Sequence, residues 1–199
     1  MKPGASACRA PGTVASMRLR ILLAAVCAVA AFTAMGTLVF AQKAAPKRVS
    51  VTLKNAAGAT VGKVTMRQAG AKKPVDVRAA VRRLQPGFHG FHIHAVGSCA
   101  APDFKSAMGH LKEGEQGHGA HAGDMSSLLV KGNGTAVLRL TTDRFTLADL
   151  RDADGSAVMV HAGPDNFANI PPRYAPDGPD QETRDTGDSG ARVACGEIK

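Results

Sequence analysis

The chain has 199 residues with 25 Lys and Arg against 16 Asp and Glu, a formal net charge of +9, and 4% aromatic residues. Four of the cations (Lys2, Arg9, Arg18, Arg20) and none of the acids precede position 42, so residues 42–199 carry 21 − 16, or +5. That mild excess suits a small anion or an acidic surface, and the lack of a basic run interleaved with aromatics argues against nucleic acid.

The first forty or so residues differ in kind from the rest. Arg18 and Arg20 are followed by the uncharged run "ILLAAVCAVAAFTAMGTLVFA" at 21–41. A basic start, an apolar middle and small residues at Val39 and Ala41 are the pattern of an export signal cleaved before Gln42. The run is also long enough to span a bilayer, so it reads either as a cleaved signal or as an uncleaved membrane anchor. Val26 before Cys27 argues against lipid attachment there. Met1–Ser16 reads as an extended start or a long basic leader. Residues 42–47, "QKAAPK", read as a linker, leaving one domain at 48–199 with chain enough for a real core.

Strand signals begin at once. "RVSVTLK" (48–54) alternates apolar and polar residues, "NAAG" (55–58) is a turn, and "TVGKVTMRQ" (60–68) returns with the same period, predicting a hairpin. "PVDVRAAVRRL" (74–84) fits a strand or a short helix. "SSLLVKG" (126–132) and "TAVLRLTTD" (135–143), joined by "GNG", predict a second hairpin. "FTLADL" (145–150) carries one helical turn, and "SAVMVHA" (156–162) is an apolar strand. Short strands with no extended helical periodicity predict an antiparallel sandwich or barrel. Two Gly- and Pro-rich loops, 97–125 and 163–190, are longer than compact domains ordinarily carry without a functional reason.

All seven histidines fall between 89 and 161. In "FHIH" (91–94) the strand period puts His92 and His94 on one face, roughly 7 Å apart, and Phe91 and Ile93 on the other. A loop histidine and one from another strand would complete a nitrogen-rich site suited to copper and able to hold zinc. Cys8 and Cys27 fall in the leader, leaving Cys99 and Cys195. Two cysteines in an exported domain predict one disulfide, the alternative being two free thiols.

Three stretches carry a family resemblance. "GFHGFHIHAVGSC" (87–99), "VMVHAGPDNFANIPPRY" (158–174) and "GDSGARVACGEIK" (187–199) resemble the metal-binding strands and C-terminal signature of secreted bacterial copper/zinc superoxide dismutases, most of all the exported actinobacterial type. The resemblance covers nearly all of 48–199. It implies an eight-stranded Greek-key β-barrel, a flattened sandwich with long metal-site and electrostatic loops. It implies that His92, His94, His110 and His161 are copper ligands and that His110 bridges to zinc. It also implies that Asp165 hydrogen-bonds ligand imidazoles, that His89 is structural, that Arg192 guides the anion and that Cys99 pairs with Cys195. His110 would also carry a proton during turnover. The zinc half departs from the family pattern. "HLKEGEQGHGAHAGD" (110–124) keeps His110, His118, His121 and Asp124, but about six residues are missing between His118 and His121. These four read either as a zinc set, if the glycines let the chain turn, or as a solvated loop beside copper alone.

The chemistry implied is an exported enzyme that converts superoxide to oxygen and hydrogen peroxide. A copper or zinc carrier on the same barrel, with little turnover, is the competing reading. Oligomeric state is not legible from the chain.

Overall fold

The computed structural model describes residues 48–199, so the leader and linker read at 1–47 lie outside the described residues. Among the described residues, no helix is long and apolar enough to cross a membrane. The described residues form nine strands in chain order: β1 (Arg48–Lys54), β2 (Thr60–Gln68), β3 (Val75–Val81), β4 (Gly87–His89), β5 (Phe91–His94), β6 (Leu128–Val130), β7 (Ala136–Thr142), β8 (Ser156–His161) and β9 (Arg192–Ile198). Seven of them form one antiparallel sheet in the order β5-β8-β9-β1-β2-β3-β7, and β4 pairs with β6. Because β4 runs into edge strand β5 and β6 leads into edge strand β7, the small pair joins the two edges and the curled sheet becomes a barrel. Counting β4 and β5 as one strand interrupted at Gly90 gives the expected eight.

The alternation in β1 is the cause of its placement. Val49, Val51 and Leu53 are buried while Arg48, Ser50, Thr52 and Lys54 are exposed. The same period in β2 and β3 buries Val64, Met66, Val75, Val77, Ala79 and Val81 against Phe91, Ile93, Leu128, Leu147, Val158 and Ile198. Among the described residues the core runs from Val49 to Ile198, so that segment has a core of its own. Residues 75–81 resolve as strand rather than helix, pairing with both β2 and β7.

The second expected hairpin is only half there. Its turn closes through Lys131 N–H donating to Thr135 C=O at 2.9 Å, but β6 takes its ladder from β4 and β7 from β3. The turn forms as its sequence predicts, but the two strands belong to different sheets, β6 to the small pair and β7 to the edge of the large sheet. The long loops also contain structure without a strong sequence period. A six-residue helix α1, Gln181–Thr186, lies in the second loop, capped by Asp180, whose side chain accepts from Thr183 N–H, and ended by Gly187 at φ 62°.

Strand β5 departs most from simple alternation, for all four of its residues are buried. Phe91 and Ile93 face the core, and the histidine face is roofed by the first long loop. That loop pairs with the free edge of β5: Leu111 N–H donates to Ile93 C=O at 2.8 Å, Ile93 N–H to Gly123 C=O at 2.9 Å and Ala95 N–H to Gly109 C=O at 2.9 Å. Gly123 is required for this approach, because a Cβ there would collide with the Ile93 carbonyl. The isolated bridges His92 with Asp124 and His94 with His110 belong to the same pairing.

Candidate metal centre

The structure brings His92 and His94 from β5, His110 from the first loop and His161 from the end of β8 into one buried group, each offering a nitrogen within 4.8 Å of the others. His94 Nε2 lies 3.3 Å from His161 Nε2. That is the separation of two nitrogens each about 2 Å from a shared ion at a tetrahedral angle. Their far nitrogens are fixed by the backbone: His94 Nδ1 donates to Met108 C=O at 2.8 Å and His161 Nδ1 to Gly190 C=O at 3.0 Å. Such partners set the tautomer and aim Nε2 inward.

A second buried group, His110, His118, His121 and Asp124, meets the same criterion and shares His110 with the first. The shortened loop converges by turning twice. Ala120 N–H donates to Gly117 C=O at 3.1 Å, Asp124 N–H to His121 C=O at 3.2 Å, and Gly119 sits at φ 87°. Asp124 organises the turn with one oxygen, Oδ2 accepting from the N–H groups of Gly119 and His121 at 2.7 and 3.0 Å. Its Oδ1 faces His110 Nδ1 at 2.9 Å and His118 Nδ1 at 3.3 Å. The six missing residues are therefore not needed for convergence.

Asp165 ties the two groups together. Its Oδ2 accepts from His92 Nε2 and its Oδ1 from His118 Nε2, both at 2.7 Å. Gly187 permits this, because a Cβ at that position would overlap both Asp165 and His118. Gly187 is not apparent from sequence alone; the available signal is a glycine directly after the polar stretch "DQETRDT" (180–186), the place of a helix C-cap. His89 stands apart from both groups, its Nδ1 2.7 Å from the carbonyl of His161 and its Nε2 2.8 Å from that of Gln85.

The remaining open valences decide whether ions fit. His92 Nδ1, His118 Nδ1 and both ring nitrogens of His121 are buried with no hydrogen-bond partner among the described residues. Native interiors rarely tolerate such orphans. His92 Nδ1 turns toward the first group, His118 Nδ1 and His121 Nδ1 toward the second, and each offers a lone pair to a cation once its ring is neutral, which for His118 means giving up a proton.

Electrostatics point the same way. Burial, opposed by backbone hydrogen bonding for His161 and by Asp124 for His110, pushes both rings down to about 4. Burial likewise lowers His92, His94 and His121. Metal binding requires neutral imidazole, so these rings are already in the binding state at neutral pH. His118 goes the other way: burial opposes the charged form, but Asp124 and Asp165 hold the ring up at about 9. Both carboxylates sit well below the usual range despite burial, held there by the facing histidines.

A pH prediction follows for the chelator-treated protein. The unfolded rings take protons near pH 6.5 whereas His110 and His161 wait until about 4. Between those values the unfolded state binds more protons, so stability falls as pH drops. Going from pH 7 to 5 should cost roughly 2 kcal/mol for each of these two rings. His118 acts in the opposite sense, contributing stability below pH 6.5 that is lost as pH rises through 9. Urea unfolding at pH 7, 6 and 5 checks the first window; a flat profile would contradict it.

Arg192, at the start of β9, donates from Nη1 to Phe104 C=O and from Nη2 to Met108 C=O, both at 2.7 Å. It borders an open depression of about 330 Å³ whose floor includes His94, His110 and His161. Cys99 and Cys195 form a disulfide with Cα atoms 5.8 Å apart, joining β9 to the loop that supplies those two carbonyls. Met108 was not singled out from sequence. It sits at φ 60°, ψ −153°, a conformation otherwise nearly confined to glycine that costs on the order of 1–3 kcal/mol. Its carbonyl accepts from both His94 and Arg192.

A curled antiparallel β-barrel whose loops fold two buried metal-ligand groups around one shared histidine defines a class of metalloprotein with paired, coupled sites. The family model described as "Copper/zinc superoxide dismutase (SODC)" matches residues 60–198. The chain belongs to that family. The copper-zinc superoxide dismutase of Mycobacterium tuberculosis strain H37Rv is 49% identical over 134 residues, covering 59% of this chain and 55% of the relative. The chain thus spans about half the length of its mycobacterial relatives. That of Caulobacter vibrioides is 33% identical over 155 residues, covering 71% of this chain and 80% of the relative. Among solved structures, the Cu/Zn superoxide dismutase from Brucella abortus superposes with a TM-score of 0.60 at 26% identity, covering 76% of this chain and 99% of that one. A SOD-like protein from Bacillus subtilis gives 0.61 at 28% identity, covering 75% and 97%.

Proposed function

We propose that this chain is an exported superoxide dismutase that holds copper through His92, His94, His110 and His161 and zinc through His110, His118, His121 and Asp124. The observation that carries the reading is the pair of buried ligand groups sharing His110. Copper supplies one-electron cycling that turns two superoxide ions and two protons into oxygen and hydrogen peroxide. The chain's own groups do the rest. Arg192 attracts the anion and offers charge-assisted hydrogen bonds at the depression. Met108 C=O and Gly190 C=O hold His94 and His161 in their tautomers. His110, whose Nδ1 faces Asp124, has Nε2 left to accept and return a proton on the copper side. The Cys99–Cys195 bond supports an oxidising, extracytoplasmic location, and the uncharged run at 21–41 supplies the export or anchoring signal.

Superoxide decay measured on copper-loaded protein, with copper and zinc quantified on the same sample, tests this. Catalysed decay with about one ion of each metal per chain is the expected result; stoichiometric metal without decay would identify a carrier. A second prediction concerns Asp165. Replacing it with Ala removes the acceptor for His92 and His118 together, and zinc affinity should fall about 10–100-fold. Competition with a chromogenic chelator reads this directly. An unchanged affinity would mean the Asp165 carboxylate has no orienting role.

A further inference from the structure

The outward face of the barrel opposite the core side of β1, β2, β3 and β7 is unusually cationic. Its exposed residues include Arg48 and Lys54 on β1, Lys63 and Arg67 on β2, Arg78 on β3 and Arg139 on β7. Asp76 is the one acid on these four strands, and it is engaged by the Thr141 hydroxyl at 2.8 Å. Among the described residues the Lys and Arg ion pairs are Lys105 with Asp103, Lys112 with Asp185 and Lys199 with Glu197, none of them on this face.

The register sharpens the anomaly. Arg48 stands directly opposite Arg67, and Arg78 directly opposite Arg139. Like charges in directly opposed positions destabilise a sheet. Asp76, directly opposite Arg67, offsets part of that repulsion, and the cationic excess that remains suits an external anion. Between the two arginine pairs lies a depression of about 480 Å³ lined by Arg48, Arg67, Arg78 and Arg139 with Thr65, Thr141 and the single acid Asp76, four cations to one anion with room for a phosphate-sized group.

The charge is also segregated along the chain. Residues 42–102 contain eleven Lys and Arg and a single acid, Asp76, whereas residues 103–199 contain ten Lys and Arg and fifteen acids. Such asymmetry between halves marks a chain with a charged partner. The apolar run at 21–41 ends only six residues before Arg48, and those six include Lys43 and Lys47. Six residues reach at most about 20 Å, within the scale of one small domain. The basic face therefore begins where the chain leaves its apolar segment.

We propose that this face docks the barrel flat on an anionic lipid bilayer, with Arg48, Arg67, Arg78 and Arg139 seated among acidic headgroups. The inference uses the export reading above only to say where the bilayer is met, and it is independent of catalysis. None of the residues lining the basic depression lines the one at the histidines, so docking and access to the metal centre use different surfaces. A juxtamembrane cation at such a surface strengthens binding about fivefold, and the attraction fades over a Debye length.

The test uses residues 42–199, which carry their own core, loaded with copper and zinc. Co-sedimentation is measured with vesicles of phosphatidylcholine alone and with 30% phosphatidylglycerol. Binding only to the anionic vesicles, weakening steeply with salt, is expected. Arg67→Glu with Arg78→Glu should weaken it at least twentyfold while thermal stability and superoxide decay stay near wild type. Arg151→Glu with Arg173→Glu makes the same change in net charge elsewhere and should leave most of the binding intact. Equal loss in both pairs would mean bulk charge rather than this face, and would overturn the proposal. So would absence of vesicle binding, whether or not the protein retains single-stranded DNA or polyphosphate under the same conditions.

Discussion

Replacing Arg192 with Ala is expected to lower the second-order rate of superoxide decay about 10–100-fold and to flatten its dependence on ionic strength. The magnitude follows from the range over which focused charge raises the encounter rate of a small ion. The depression over the histidines is not uniformly positive: Lys112 is paired with Asp185 at 3.7 Å, and Glu182 also lines it. Arg192 is thus the cation at that rim without a direct carboxylate pair, Asp103 acting on it only through space. Its carbonyl partners leave three of the five guanidinium N–H donors for a ligand. Lysine should recover the salt dependence but only part of the rate, because it restores charge without the fork. Rates taken by pulse radiolysis between 10 and 200 mM salt separate the cases. Identical rates and slopes for wild type and the Ala variant would remove Arg192 from the mechanism.

How far the chain discloses itself depends on whether the determinant is local. The alternation in 48–54 and 60–68 is local, and both strands form where the period puts them. The family resemblance rests on short stretches and identified the barrel. What escaped needed distant segments. Nothing in "FHIH" says that both faces are buried, because the roof over His92 and His94 comes from residues 109–124. The spacing of His118 and His121 left open a zinc set or a solvated loop, and the turn that brings them together is made by Asp124, whose carboxylate accepts from the backbone N–H groups of Gly119 and His121. Met108 reads as an ordinary apolar residue, and only its backbone geometry reveals that one carbonyl serves both His94 and Arg192. The basic face is the extreme case, since Arg48 and Arg139 lie on strands far apart in the chain and the ladders alone unite them.

Removing the disulfide should produce the largest loss of stability. Cys99 and Cys195 are 96 residues apart, and opening a loop of that length costs about 4–5 kcal/mol in the chain-entropy model. For a domain of this size that is a fall in Tm on the order of 10–15 °C. The change should also reach the metal centre. Cys195 lies three residues beyond Arg192 on β9, and Cys99 anchors the segment whose Phe104 and Met108 carbonyls hold the guanidinium. Cys99 and Cys195 pack with Phe104, Ala107, Ala157 and Met159 in a cluster of their own, so the bond supports that segment from beneath. Cys99→Ser with Cys195→Ser, assayed well below its lowered Tm, should therefore lose rate and salt dependence in the manner of Arg192→Ala. The decisive comparison is the combined variant. If the bond acts by placing Arg192, adding Arg192→Ala to the serine pair will cost much less than it does in wild type, a coupling a double-mutant cycle measures. Full additivity, with the serine pair retaining wild-type kinetics, would reduce the disulfide to a stabiliser of the barrel with no part in positioning the anion site.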